Sequence, residues 1–390
     1  MKDSVYFVSD NIISSLGFTS EENIKCLKSD STGIKLIDNQ ELYNQPFYGS
    51  LVDTYGIDSR FSQFSNPSNY TRFEKLIILS ICDALKNSDI DVRSDKTIVI
   101  LSTTKGNIEL LNTRYSGKIE KKRAHLWKAA EVIQRFFNNP NTPIVISNAC
   151  ISGVLAIIVG AHFVKSKQYD NIIISGADVI TEFIVAGFQS FQSLCDGPCK
   201  PFDINRNGLS LGEGSGTIIL SNNQNNYFNN DAVLFAGGST GNDANHISGP
   251  SRTGEGLFTA VKKTIEEAKN IGISKVDHIS AHGTATPYND EMEAIVFDRA
   301  NLSDVPISSL KGFWGHTLGA AGIIESVAAV HSLKGGFMIK TLGMDKLGVS
   351  KNITVVDKYT EQSLNSCLKT SSGFGGCNAA VLFSKAQGLK

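Results

Sequence analysis

Residues 142–165 read TPIVISNACISGVLAIIVGAHFVK. The β-branched run Ile144–Ser147 is short enough to be a strand. The apolar stretch that begins at Val154 and ends at Lys165 is too long for a strand and reads as a buried helix. Asn148-Ala149-Cys150-Ile151-Ser152-Gly153 is therefore a strand-to-helix junction.

The same alternation extends outward in both directions. Thr97–Ser102, Asn171–Ser175 and Thr217–Leu220 are strand-like, and Arg72–Lys86 and Leu126–Phe137 are amphipathic helical stretches. The second half repeats it: strands at Ala232–Phe235, His278–Ser280 and Pro306–Ser308, helices at Gly256–Asn270, Asp290–Ala300 and Gly319–Leu333. Strands separated by helices imply βαβ units, an α/β class and a mostly parallel, buried sheet. Ser221–Asp231, SNNQNNYFNND, is rich in Asn and poor in aliphatics, so it reads as a surface connector. It divides the chain into two halves, 1–222 and 231–390.

Composition excludes several classes. Hydrophobic residues make up 41% of 390 residues, which a disordered chain could not have. A formal net charge of −1 leaves no global field to draw nucleic acid or an anionic membrane. MKDSVYFVSDNIISS lacks the pattern of a signal peptide, and no apolar run reaches the ~18 residues of a membrane helix. Seven cysteines in a chain this long do not form a disulfide framework. The expectation is a cytoplasmic protein with reduced thiols.

Four features carry chemistry. Cys150 stands at a helix N-terminus, where the helix dipole and free N–H groups favour thiolate. The expectation is a nucleophile. His282, in AHGTATPYNDEME, and His316, in SSLKGFWGHTLGAAG, each follow a strand end and neighbour Gly. Lys311, five residues before His316, lies in an apolar, Gly-rich turn and requires a carboxylate, either Glu325 or Glu293. Ser371–Cys377, SSGFGGC, is a turn whose N–H groups can serve an oxyanion, or equally a plain hairpin. Cys195 and Cys199 have no second pair at zinc spacing, so no metal site is expected.

Together these motifs resemble the β-ketoacyl-acyl-carrier-protein synthases, the Cys-His-His condensing enzymes of the thiolase superfamily, types I and II and their polyketide relatives. NACISG, HGTATP, KGFWGHTLGAAG, GFGGCN and KPFDINRNGLSLGEGSG from Lys200 are similar to five ordered motifs of that family. The resemblance implies a thiolase fold, five layers αβαβα built from two similar halves. It implies an acyltransferase that condenses malonyl-acyl-carrier protein with an acyl chain held on Cys150, in fatty acid, polyene or polyketide synthesis. His282 and His316 would assist decarboxylation, and Lys311 with Glu325 would set the electrostatics. The N–H groups of Cys150 and Phe374 would form an oxyanion hole, with Phe374 gating the acyl tunnel. Thr284 and Thr286 would bind the phosphopantetheine arm delivered by the carrier protein, and His246 matches a mobile-loop histidine. No cofactor of its own is implied.

Lys121, Lys122 and Arg123 form a basic cluster suited to carrier-protein docking. The stretch before Cys150 is shorter than in the family, and FSNPSNYTRF lacks the basic run of relatives. These departures suggest a specialised enzyme acting on polyene or aryl-primed chains. The family is usually homodimeric, and a heterodimer with a related subunit is the alternative. Two other readings compete. A chain-length-factor-like, non-catalytic subunit would lack the nucleophile, which is present here. A CoA-dependent thiolase would use a second cysteine near the C-terminus, where Cys377 stands, but the paired-histidine motifs oppose it.

Overall fold

Alternation along the strands sorts side chains into separate cores. Ile98 and Ile100 join one cluster while Val99 and Leu101 join another, and Ile172, Ile174 and Ile173 divide the same way. Successive strand residues face opposite sides, so each sheet is apolar on both. The computed structural model describes residues 4–113, 115, 117–223 and 232–386.

Among the described residues, ten strands form one sheet. From one edge they run Ile307–Ser308, His278–Ser280, Ser366–Gly373, Cys377–Lys385, Val233–Asn242, Tyr6–Ser14, Gly214–Ser221, Asn171–Asp178, Thr97–Ser102 and Ile144–Ile146. The seam lies between Val233–Asn242 and Tyr6–Ser14, where only Tyr6↔Leu234 and Phe7↔Val233 pair. Outward from the seam both halves have one pattern: antiparallel, antiparallel, parallel, parallel.

The sheet is thus mixed, not mostly parallel. Ser366–Gly373 and Cys377–Lys385 are joined by Phe374, Gly375 and Gly376 alone, and so short a turn permits only antiparallel pairing. Gly375 and Gly376 have φ of 82° and 72°, which suits glycine. Ser371–Cys377 is therefore a hairpin, and its turn also faces the site described below.

The helices Ser152–Lys165 and Ala321–Gly335 lie in the middle layer, sharing a core with residues of both half-sheets. Arg72–Lys86 and Leu126–Phe137 cover the outer face of the N-terminal half-sheet, and Glu255–Lys269 and Pro287–Arg299 that of the C-terminal one. The order is α, β, α, β, α. Arg72–Lys86 starts with a capping box: Thr71 Oγ1 accepts from Glu74 N–H, and Thr71 N–H donates to the Glu74 carboxylate. The connector is described only as far as Asn223; residues 224–231 lie outside the described residues. Among those described, no helix is long and apolar enough to cross a membrane.

The two middle helices touch through glycines at their starts. A Cβ on Gly322 would lie 2.5 Å from Val154 N, and one on Gly153 would lie 2.7 Å from Ile323 N. Both obstacles are backbone, so a side chain must push the helices apart. Gly322→Ala is expected to cost about 1–3 kcal/mol as overpacking, read as a lower urea midpoint at unchanged slope. An unchanged midpoint would show that the crossing has room.

Candidate active site

The strand-to-helix junction at Cys150 is strained and braced. Ala149 holds φ at 45°, a left-handed value that non-glycine residues seldom adopt. Ser152 Oγ accepts from Asn148 N–H at 2.7 Å and donates to Ala149 O at 2.6 Å. Ser371 Oγ, from the C-terminal half, donates to Cys150 O at 3.0 Å. Gly373 packs against the same peptide, where a Cβ would lie 3.0 Å from Cys150 N. The Phe374 backbone N–H is near enough to the Cys150 thiol to oppose the rise of its pKa.

His282 is carried by a loop folded over the next helix. Pro287 stands in the first turn of that helix, a position that needs no N–H. Glu293 accepts from the N–H groups of His282 and Gly283 at 2.8 and 2.6 Å, and Asp290 from that of Thr284 at 2.9 Å. The two carboxylates are three residues apart, hence on one helix face. They fix the loop backbone, so Glu293 is spent there. Glu325 is the partner of Lys311, at 2.5 Å.

His316 is held by the opposite half. Its N–H donates to Ser210 O at 2.8 Å, and its carbonyl accepts from Gly212 N–H at 2.9 Å. Gly319 N–H, three residues on, donates to Asp178 Oδ2 at 2.7 Å. Each half thus positions reactive groups of the other.

Cys150, His282 and His316 meet, with one donor atom of each within 4.8 Å of the others. The imidazole centroids are 5.1 Å apart, at 82°. Hydrogen bonds assign the tautomers. His316 Nδ1 accepts from Leu318 N–H at 3.3 Å, and His282 Nδ1 faces the Lys311 ammonium at 3.4 Å. An ammonium only donates, so both Nδ1 atoms are acceptors and both Nε2 atoms carry hydrogen. Burial pulls both histidines well below their ordinary pKa, and Lys311 and Lys369 act in the same direction. They are neutral at pH 7, each presenting one N–H.

The expectation of a resting thiolate fails. Burial pushes the Cys150 thiol up to about 11, although Lys311, Lys105 and the Phe374 N–H oppose it. Desolvation disfavours the charged form more strongly than these donors favour it. Iodoacetamide alkylation of Cys150 should therefore keep rising about tenfold per pH unit beyond pH 9. A plateau below pH 8 would restore the thiolate.

These groups line a cavity of about 490 Å³, with Thr284, Thr286, His246 and Phe374 also on its wall. Thr284 Oγ1 and Thr286 Oγ1 are 2.9 Å apart, and His246 is exposed, its Nδ1 accepting from the N–H groups of Ser248 and Gly249. Phe188 and Phe191 pack on the Phe374 ring at 5.8 and 5.2 Å. The basic cluster is not on this wall. Lys121 and Lys122 are exposed, but the Arg123 guanidinium binds the buried Glu74 carboxylate and Asn69 O. Arg123 is a structural anchor, which removes it from the docking cluster.

One group escaped the sequence reading. Lys369 is fully buried, 2.6 Å from Glu325 Oε2. A signal existed: it is the sole charged residue between Glu361 and Lys385.

A thiol, two neutral imidazole N–H donors and a turn N–H define an acyl-transfer site that can hold negative charge on oxygen without a metal. The sequence comparisons agree. The profile of the beta-ketoacyl synthase N-terminal domain matches residues 3–226, and that of the C-terminal domain matches residues 232–345. The chain belongs to the β-ketoacyl synthase family. It is 27% identical to 3-oxoacyl-[acyl-carrier-protein] synthase 2 of Vibrio cholerae, over 98% of this chain and 99% of that one. It is 26% identical to the tetracenomycin polyketide synthase ketoacyl synthase alpha subunit of Streptomyces glaucescens, over 82% of each. The ishigamide ketosynthase/chain length factor superposes with a TM-score of 0.88 at 22% identity, over 98% of this chain and 99% of that one. The fold is the thiolase fold of the ketosynthases.

Proposed function

We propose that the protein lengthens a carrier-bound acyl chain by decarboxylative Claisen condensation. The observation that carries this is the pair of neutral Nε2–H donors beside one thiol in one cavity. The Cys150 sulfur attacks the acyl thioester carbonyl. The new C–S bond replaces the bond to the pantetheine sulfur, which leaves with the Cys150 proton. The N–H groups of Cys150 and Phe374 hold the oxyanion. A malonyl thioester then places its carbonyl oxygen between His282 and His316. Its C–CO₂ bond breaks, and the electron pair becomes an enolate held by the two N–H donors. The enolate carbon attacks the Cys150 thioester carbonyl, the C–S bond breaks, and the departing thiolate takes a proton from water. Two neutral donors suit this step, because they stabilise the enolate without protonating it.

The threonine pair and His246 at the cavity wall support a phosphopantetheine arm delivered by an acyl-carrier protein, with no cofactor of the protein's own. Lys121 and Lys122 remain as the docking cations. The ring set Phe188, Phe191 and Phe374 favours flat acyl chains of polyene or aryl-primed type, within fatty acid or polyketide synthesis. Ile144–Ile146 is a half-buried apolar strand at the sheet edge, which supports pairing with a second subunit, identical or related. The intact Cys150, His282, His316 and Lys311 favour a catalytic subunit over a chain-length-factor role. Cys377 does not line the cavity, which disfavours a thiolase. Intact-mass analysis after incubation with a panel of acyl-carrier proteins tests the substrate. Polyenoyl or aryl chains should load onto Cys150 faster than saturated chains of equal length, and the reverse order would remove the specialised reading.

A further inference from the structure

Lys369 lies in the strand Ser366–Gly373, on the side opposite Leu368 and alongside Cys367, facing the middle layer. It pairs in register with Ser280, the last residue of the strand that delivers His282. Its ammonium donates to Ser280 O at 3.3 Å, Ala281 O at 3.2 Å and Thr370 O at 2.6 Å, and contacts Glu325 Oε2 at 2.6 Å. Lys311 occupies the matching place one residue on, donating to His282 O at 2.6 Å and to Glu325 Oε1 at 2.5 Å. Two ammonium groups therefore share one carboxylate and together clamp three successive carbonyls, 280 to 282.

The surroundings fix the charge of Lys369. All its partners are acceptors, one of them an anion, surroundings that suit an ammonium. Burial pulls its pKa down, while Glu325 and Glu293 raise it. The charged and titratable groups packed around His282 and His316 are Lys311, Lys369, Glu325, Glu293, Asp290, Asp178 and Cys150. Burial raises the pKa of Asp290, to about 6, and of Asp178, and the Glu293 carboxylate accepts from backbone N–H groups and Thr370 Oγ1. Glu325 is shared between the two cations, and both ammonium groups still act on the imidazoles to lower their pKa.

We infer that Lys369 is a positioning residue of the condensation site: with Lys311 it clamps the His282 strand end, and its charge keeps both imidazoles as neutral N–H donors. This rests on the roles proposed for the two histidines. A proton added to either ring would turn Nδ1 from acceptor to donor and break its contact with Lys311 or Leu318 N–H. The second cation pushes that event to lower pH.

The test compares wild type, Lys369→Met and Lys369→Arg. Carbon dioxide release from malonyl-pantetheine is followed from pH 5 to 9, with acyl loading of Cys150 measured in parallel. Removing a positive charge raises the pKa of neighbouring histidines, so in Lys369→Met the acid limb should move up by about one pH unit. Loading at pH 8 should stay within about threefold of wild type, and Lys369→Arg should restore the limb. A Met variant that loads normally with an unmoved acid limb would overturn the inference. If the variants do not fold, ¹⁵N-histidine spectra of the wild type decide. The His282 and His316 rings should stay neutral well below their ordinary midpoint, and an ordinary titration midpoint near 6.5 would overturn it. Failure of the wild type to release carbon dioxide at any pH would instead count against the condensation reading, and the spectra would still decide the charge.

Discussion

Cys150→Ala is expected to abolish acyl loading, with a loss of at least about 10³-fold. No other thiol can take over. Cys195, Cys199 and Cys367 are buried and bonded elsewhere, Cys199 Sγ to Lys311 O and Cys367 Sγ to His278 Nδ1. Cys150 is the one cysteine on the cavity wall. The substitution removes little more than one sulfur atom, so folding should be retained and the loss should be chemical. Mass spectrometry after incubation with an acyl N-acetylcysteamine thioester reads it directly. Undiminished acylation of the variant would dismiss the nucleophile.

His316→Ala is expected to separate the half-reactions. In the proposed mechanism, loading uses the N–H groups of Cys150 and Phe374, which the variant retains. Decarboxylation loses one of two fixed donors to the enolate oxygen, worth about 10²–10³ in rate. The backbone of His316 is anchored through its own N–H and carbonyl to Ser210 and Gly212, independently of the ring, so the loop should stay in place. Loading within a few-fold of wild type, together with carbon dioxide release near background, is the expected pattern. Equal losses in both steps would show a structural role for the ring.

Much of this site was legible because its residues lie in short local motifs. Cys150 sits at a junction that strand and helix patterns locate, and the two histidines sit after strand ends beside glycines. The choice between Glu325 and Glu293 was not legible, since it depends on how helix Pro287–Arg299 folds back under its own loop. Lys369 was missed because a lysine within a strand normally reads as solvent-facing, and only the packed middle layer shows otherwise. The acidity of Cys150 was misjudged for a related reason: helix position is local, whereas burial is a property of the assembled halves. Arg123 looked like part of a surface run until Glu74, on a different helix, claimed it. The mixed sheet was hidden because alternation of strands and helices does not reveal the direction of the strands paired by the Phe374–Gly376 turn.

Single-turnover condensation tests the central claim most directly. Enzyme acylated on Cys150 and freed of excess thioester is mixed with malonyl-pantetheine. If Cys150 donates the chain to an enolate held by His282 and His316, loss of the acyl mass from the protein should match, mole for mole, the carbon dioxide released and the β-ketoacyl-pantetheine formed. Loss of the acyl group to water, with no β-ketoacyl product, would contradict it.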